Sequence, residues 1–177
     1  MKRKTVLLLV IVMALLPLPA SKLSWNPSVS LNGGLQRNEF TSSIESSGNA
    51  SSAFFVEGKL VIPSLRIGES LALSIPVYAG WVSSSRISAR TEKQQEATLG
   101  AEAEAGLRCH ERFSLSIGGG FRLHCYLESE GWYLSYGGTL TPTVLIGIVP
   151  VSFPLSIYIG RNGAEIRFAA GLKLGAV

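Results

Sequence analysis

A two-residue rhythm constrains this chain more than any other feature. Leu71, Leu73, Ile75, Val77, Ala79 and Trp81 alternate with Ala72, Ser74, Pro76, Tyr78 and Gly80. Side chains two apart share one face of an extended chain, so the first set forms an apolar face and the second a smaller, more polar one. The rhythm returns at Phe113, Leu115, Ile117, Gly119, Phe121 and Leu123, again at Val151, Phe153, Leu155, Ile157 and Ile159, and again at Ile166, Phe168, Ala170, Leu172 and Leu174. Residues 28–40, 54–63, 97–109 and 132–144 follow it less regularly and bring the predicted strands to eight. An even number suits a closed antiparallel meander with both chain ends on one side.

One of these strands carries a conflict. Residues 92–112 are rich in Ala, Glu and Gln, which favour helices. Gly100, Gly106 and the alternation Ala97, Leu99, Ala101, Ala103, Ala105, Leu107 point instead to a strand. The connections add independent information. Residues 41–52 and 83–96 form long polar links, whereas 64–69 and 110–112 are short, the long–short pattern of barrels with outer loops and tight inner turns. The later outer links, 128–131 and 161–163, are short as well.

The N-terminus reads as a targeting segment. Lys2, Arg3 and Lys4 precede an apolar run at 6–16, and Ala20 offers a small residue for cleavage, with Leu18 at the less usual −3 position. The expected division is a signal peptide at 1–20 and one barrel domain at 21–177. Removing those three cations from the 16 basic residues leaves 13 against 12 acids, all of them Glu. A near-neutral chain lacks the basic footprint of nucleic-acid binding. Charged residues make up only 16%, low for a domain whose surface meets water.

The polar face distinguishes a membrane barrel from a soluble one. A lipocalin-like barrel turns many Lys and Glu outward. Here the polar face carries mostly small residues such as Ser135, Gly137, Thr139 and Thr141, suited to a narrow lumen, and the other face is apolar enough to meet lipid. Trp81 and Trp132 fall at strand ends near one interface and Trp25 near the other, positions that suit aromatic anchoring.

A turn through 110–112 would pair Cys109 with Phe113 and set Gly100 opposite Arg122, with Glu102 diagonal to it. Glu104 and Arg108 share that inward face, and Glu57, Lys59, Glu165, Arg167 and Lys173 join from other strands. The expectation is a lumen plugged by charge pairs: Glu102, Glu104, Arg108, Arg122, Glu165 and Arg167. The same register puts Cys109 and Cys125 at opposite ends of one hairpin, about 40 Å apart at ordinary strand rise, too far for a disulfide or for a shared metal with His110 and His124. No metal or cofactor is expected. With only those two histidines and no Asp, catalysis has little material, and Ser116 lies too far along its strand from His124 to couple with it.

The region after residue 20 resembles, in architecture, the small eight-stranded outer-membrane barrels of the OmpX, OmpW and OmpA transmembrane-domain type. The resemblance implies an all-β, up-and-down transmembrane β-barrel, exported by the secretion system and inserted into outer-membrane lipid by the assembly machinery. Those proteins usually end their last strand on an aromatic residue, whereas this sequence ends on Val177. Three functions follow as expectations. The first is a structural or surface-interacting barrel in the bacterial outer membrane, with no enzymatic activity and no surface partner specified by the sequence. The second is a narrow channel for small hydrophobic molecules, as OmpW resemblance would imply. The third is a secreted lipocalin-like binder.

Overall fold

A computed structural model describes residues 22–24, 27–39, 50–85, 93–128, 130–160 and 163–175. The expected signal peptide at 1–20, Trp25 and Val177 lie outside the described residues. The strand segments are β1 (Lys22–Ser24), β2 (Ser28–Glu39), β3 (Ala50–Ile67), β4 (Leu71–Ser85), β5 (Lys93–His110), β6 (Phe113–Tyr126), β7 (Trp132–Ile146), β8 (Val149–Ser152), β9 (Leu155–Gly160) and β10 (Gly163–Gly175).

They form eight staves of a closed antiparallel barrel. Each of β2 to β7 pairs with its successor in sequence, and β10 returns to β2 over the register Ala164↔Glu39 to Gly175↔Ser28. Closure leaves no unpaired edge along these staves. β8 and β9 are two halves of one stave, both lying between β7 and β10. The stave breaks at Phe153 and Pro154, where proline has no N–H for the ladder. Phe153 N nevertheless donates to Pro142 O, and Ala169 N to Pro154 O, so the wall stays joined across the break. β1 continues the first stave along β3, with Leu23 opposite Leu65.

The strands run longer than the sequence rhythm alone suggests. β3 extends to Ile67 and β4 to Ser85, and β5 begins at Lys93, so Glu96 lies inside the wall and not in a connecting loop. β3 passes its proline through a register shift between Val61 and Ser64. The Ala- and Glu-rich segment is a strand. Its inward carboxylates find partners in the lumen while its small outward residues lie against neighbouring staves, so ladder pairing overrides helical propensity. The tight turns after β3 and β7 use Gly68 (φ 66°) and Gly147 (φ 65°), a left-handed conformation that costs glycine little.

The β5–β6 register sets Gly100 opposite Arg122, as the sequence implied. At the turn the expectation fails. A shift between Arg108 and His110 pairs His110 with Phe113 and leaves Cys109 bulged out, because a two-residue turn at 111–112 needs one residue removed from the ladder.

Polarity is reversed relative to a water-soluble barrel. Leu31, Leu35, Ile75, Ile117, Tyr136 and Phe168 are exposed on the outside, while Glu57, Glu102, Arg122, His124, Glu165 and Arg167 are buried within. A lipocalin-like binder would need the apolar face inside, and here that face is outside. A continuous apolar outer surface of this extent is stable against lipid and not against water.

Candidate functional site

The lumen holds the chemistry. In an eight-stranded barrel the inward side chains nearly fill the interior, so any charge there has little water to solvate it and must find partners from other staves. Two carboxylates organise the centre.

Glu57 on β3 is held by guanidinium groups. Arg122 Nη1 on β6 lies 2.9 Å from Glu57 Oε2, and Arg167 Nη1 on β10 lies 3.2 Å from the same oxygen. Arg122 and Arg167 are only 2% and 1% exposed. Their flat faces are also covered: Arg122 sits 4.4 Å from the Tyr158 ring centroid and Arg167 sits 5.0 Å from that of Phe55.

Glu102 on β5 is held mainly by hydroxyl groups. Tyr78 OH donates to Oε2 at 2.7 Å, Thr139 Oγ1 donates to Oε1 at 2.8 Å, and Tyr158 OH donates to Oε1 as well. Arg122 Nη2 stands further off, at 3.9 Å. Tyr158 reaches Glu102 across two intervening staves because the row between them is glycine: Glu102 pairs with Gly120, Gly120 with Gly137, and Gly137 with Tyr158. A methyl group at Gly120 would come within 2.0 Å of Ala101 O, so the row is clear only without side chains.

Toward the loop end, His124 forms a second cluster. It is fully buried and stacks on Tyr133 with ring centroids 4.2 Å apart. Its Nδ1 lies 3.2 Å from Glu96 Oε2, and its Nε2 lies 3.0 Å from Ser135 Oγ and 3.4 Å from Glu165 Oε2. Glu165 Oε1 meets Arg167 Nε at 2.6 Å, which links this cluster to the central one. Serine, imidazole and carboxylate are connected here as in a nucleophilic relay. Ser135, however, is only 1% exposed, so a substrate carbonyl has no approach to its oxygen.

Toward the turn end, Lys59 pairs with Glu104, and Lys173 lies nearby on β10. Below the central cluster the lumen retains a cavity of about 50 Å³, which meets a wider vestibule of about 190 Å³ at the turn-end mouth.

The structure therefore brings Glu102, Arg122, Glu165 and Arg167 together with Glu57, and sets Glu104 apart with Lys59. Arg108 does not join them: it is exposed at the turn-end mouth and makes no ion pair among the described residues. Trp81 and Trp132 face outward near the loop end, joined in one ladder row through Ala97 and Cys125. Trp81 Nε1 also donates to Gln95 Oε1 at 3.4 Å. The two cysteines carry free thiols at opposite ends of the β5–β6 hairpin. Sequence reasoning missed Glu96, Ser135, Tyr78 and Tyr158 as partners. The signal available for the tyrosines was their inward parity among otherwise small residues.

No protein-family model matches the sequence, and no curated protein matches it. Among solved structures, the chain is similar to Neisserial surface protein A (NspA), with 11% identity and a TM-score of 0.57, over 86% of this chain and 98% of that one. The attachment invasion locus protein Ail of Yersinia pestis aligns over 85% of this chain and 99% of its own, with 10% identity and a TM-score of 0.46. The likeness to NspA is one of fold. The chain is an all-β, eight-stranded antiparallel barrel of the bacterial outer-membrane type.

Proposed function

We propose that this barrel resides in the outer membrane as a structural or surface-interacting element, presents its loop end to the environment, does not conduct solutes and catalyses no reaction. The observation that carries this reading is the convergence of Arg122 and Arg167 on Glu57 at the centre of the lumen. Two buried guanidiniums on one carboxylate, flanked by the hydroxyl-bound Glu102, occupy the cross-section that a solute would need. Separating them costs several kcal/mol for each uncompensated buried charge, so thermal opening is rare. Export and assembly machinery would act during biogenesis, with outer-membrane lipid as the lasting partner. The likeness in fold to a Neisserial surface protein supports a role at the cell surface.

Planar-bilayer recording tests the reading. The refolded chain should give no discrete conductance steps. A variant with Glu57→Ser, Arg122→Ser and Arg167→Ser should open small cation-preferring steps, because Glu96, Glu102 and Glu165 remain in the lumen. Steady large conductance in the unmodified chain would overturn the sealed-lumen reading, and release from membranes by carbonate washing would overturn the membrane location.

A further inference from the structure

The turn-end vestibule differs in charge from the rest of the lumen. Above it, Glu57, Glu96, Glu102 and Glu165 face two arginines and His124, so carboxylates are in excess. Within it the balance reverses. Glu104 is the carboxylate facing Lys59, Lys173 and Arg66, and it is already engaged by Lys59. Lys173 is half-buried and projects into both the small cavity and the vestibule. It has no hydrogen-bond or ion-pair partner among the described residues. Among the described residues the partly buried Lys59 and Lys173 against Glu104 leave one positive charge, and the exposed Arg66 stands beside them. At the rim Arg108, His110, Glu69 and Glu111 are exposed, where water and salt screen their contribution.

A half-buried ammonium without a counter-charge is costly unless something supplies one. The wall around it offers hydroxyl donors, Ser116 and Thr143 lining both spaces. Ammonium and hydroxyl donors lining one small space, with positive charge in excess and the Arg66 guanidinium beside them, match a tetrahedral oxyanion. The geometry points to a binding site for the phosphate group of a small molecule in this dead-end vestibule, with Lys173 and Arg66 as its charged ligands and Ser116 and Thr143 as neutral donors. The central plug closes the chamber above, so the ligand enters and leaves by the turn-end mouth. The phosphate can belong to a free solute or to a phospholipid headgroup folded in from the adjoining leaflet.

Calorimetric titration of inorganic phosphate into the full chain, refolded in a phosphate-free maltoside detergent, tests the site. Saturable binding of one equivalent is expected, with amide signals of Ser116 and Thr143 shifting in step. Lys173→Met should weaken binding about ten-fold or more through loss of a charge-assisted contact. Arg66→Gln, on an exposed side chain that leaves the wall intact, should weaken it less and serves if the first variant fails to fold. A second arm separates the sources. Phosphate binding that persists in nanodiscs of anionic phospholipid marks a free-solute site, and binding abolished there but kept in uncharged glycolipid discs marks a headgroup site. No saturable binding up to about 10 mM, weaker than any specific site of this kind, overturns the proposal. So does affinity unchanged in both variants.

Discussion

Arg122 and Glu57 meet at 2.9 Å in the middle of the barrel although 65 residues separate them in the chain. β6 and β3 share no ladder, so the contact crosses the lumen and exists only when the barrel is closed. It ties the fifth stave to the second across the barrel through side chains, in addition to the backbone closure of β10 on β2.

Removing the shared carboxylate should therefore be severe. Glu57→Ala leaves Arg122 and Arg167 buried with no acid between them, and breaking a buried ion pair from one side costs about 3–5 kcal/mol. Urea unfolding of the refolded barrel, followed by gel mobility without boiling, should show a midpoint shifted well below that of the parent chain. An exchange to apolar residues of similar size at 57, 122, 165 and 167 together should recover most of the loss, since Glu165 then no longer lacks Arg167 and Glu102 keeps its hydroxyl donors. Equal stability of Glu57→Ala and the parent chain would show that the contact is not maintained in the membrane.

Neighbouring glycines should behave oppositely. Gly120 faces the lumen, where an added Cβ would meet Ala101 O at 2.0 Å and Glu102 Cα at 2.7 Å. Gly119 faces outward, where the nearest atom to an added Cβ is Gly137 O at 3.6 Å. Gly120→Ala should force the β5–β6 contact apart, disturb the Tyr158–Glu102 hydrogen bond and lower the yield of folded barrel. Gly119→Ala should fold like the parent chain. Folding yields measured side by side by unboiled gel shift check the contrast, and equal yields would remove the glycine row as the reason Tyr158 reaches Glu102.

The orientation and depth of the barrel can be read from its own side chains. Trp81 and Trp132 sit on one ladder row near the loop end and face outward. In a chain carrying Trp25→Phe, their fluorescence should be quenched more by lipids brominated close to the headgroup than by lipids brominated near the chain end. Cys109 is exposed at the turn end. With Cys125→Ser, a maleimide on a long polyethylene glycol should leave Cys109 unlabelled in intact cells and label it after the outer membrane is permeabilised. Labelling in intact cells would invert the assigned orientation.

Much of the fold was legible because strand alternation is local. A residue and its second neighbour already state which face each belongs to, so Leu71 to Trp81 announce a strand without reference to any partner. Eight such stretches and a short turn through 110–112 sufficed to set Gly100 against Arg122. Cys109 escaped because a bulge is a property of two strands meeting at a turn. Glu96 escaped because the polar residues before it hide the start of β5.

Alternation along each strand is enough to announce an all-β barrel and to assign the residues of its polar face. Barrel closure settles the partners: Arg122 and Arg167 share Glu57, hydroxyl groups and not cations chiefly hold Glu102, and Arg108 stays at the mouth. The physical reason is that parity along a strand is set by neighbouring bonds, whereas a partner across the lumen depends on how far each stave is staggered when the barrel closes.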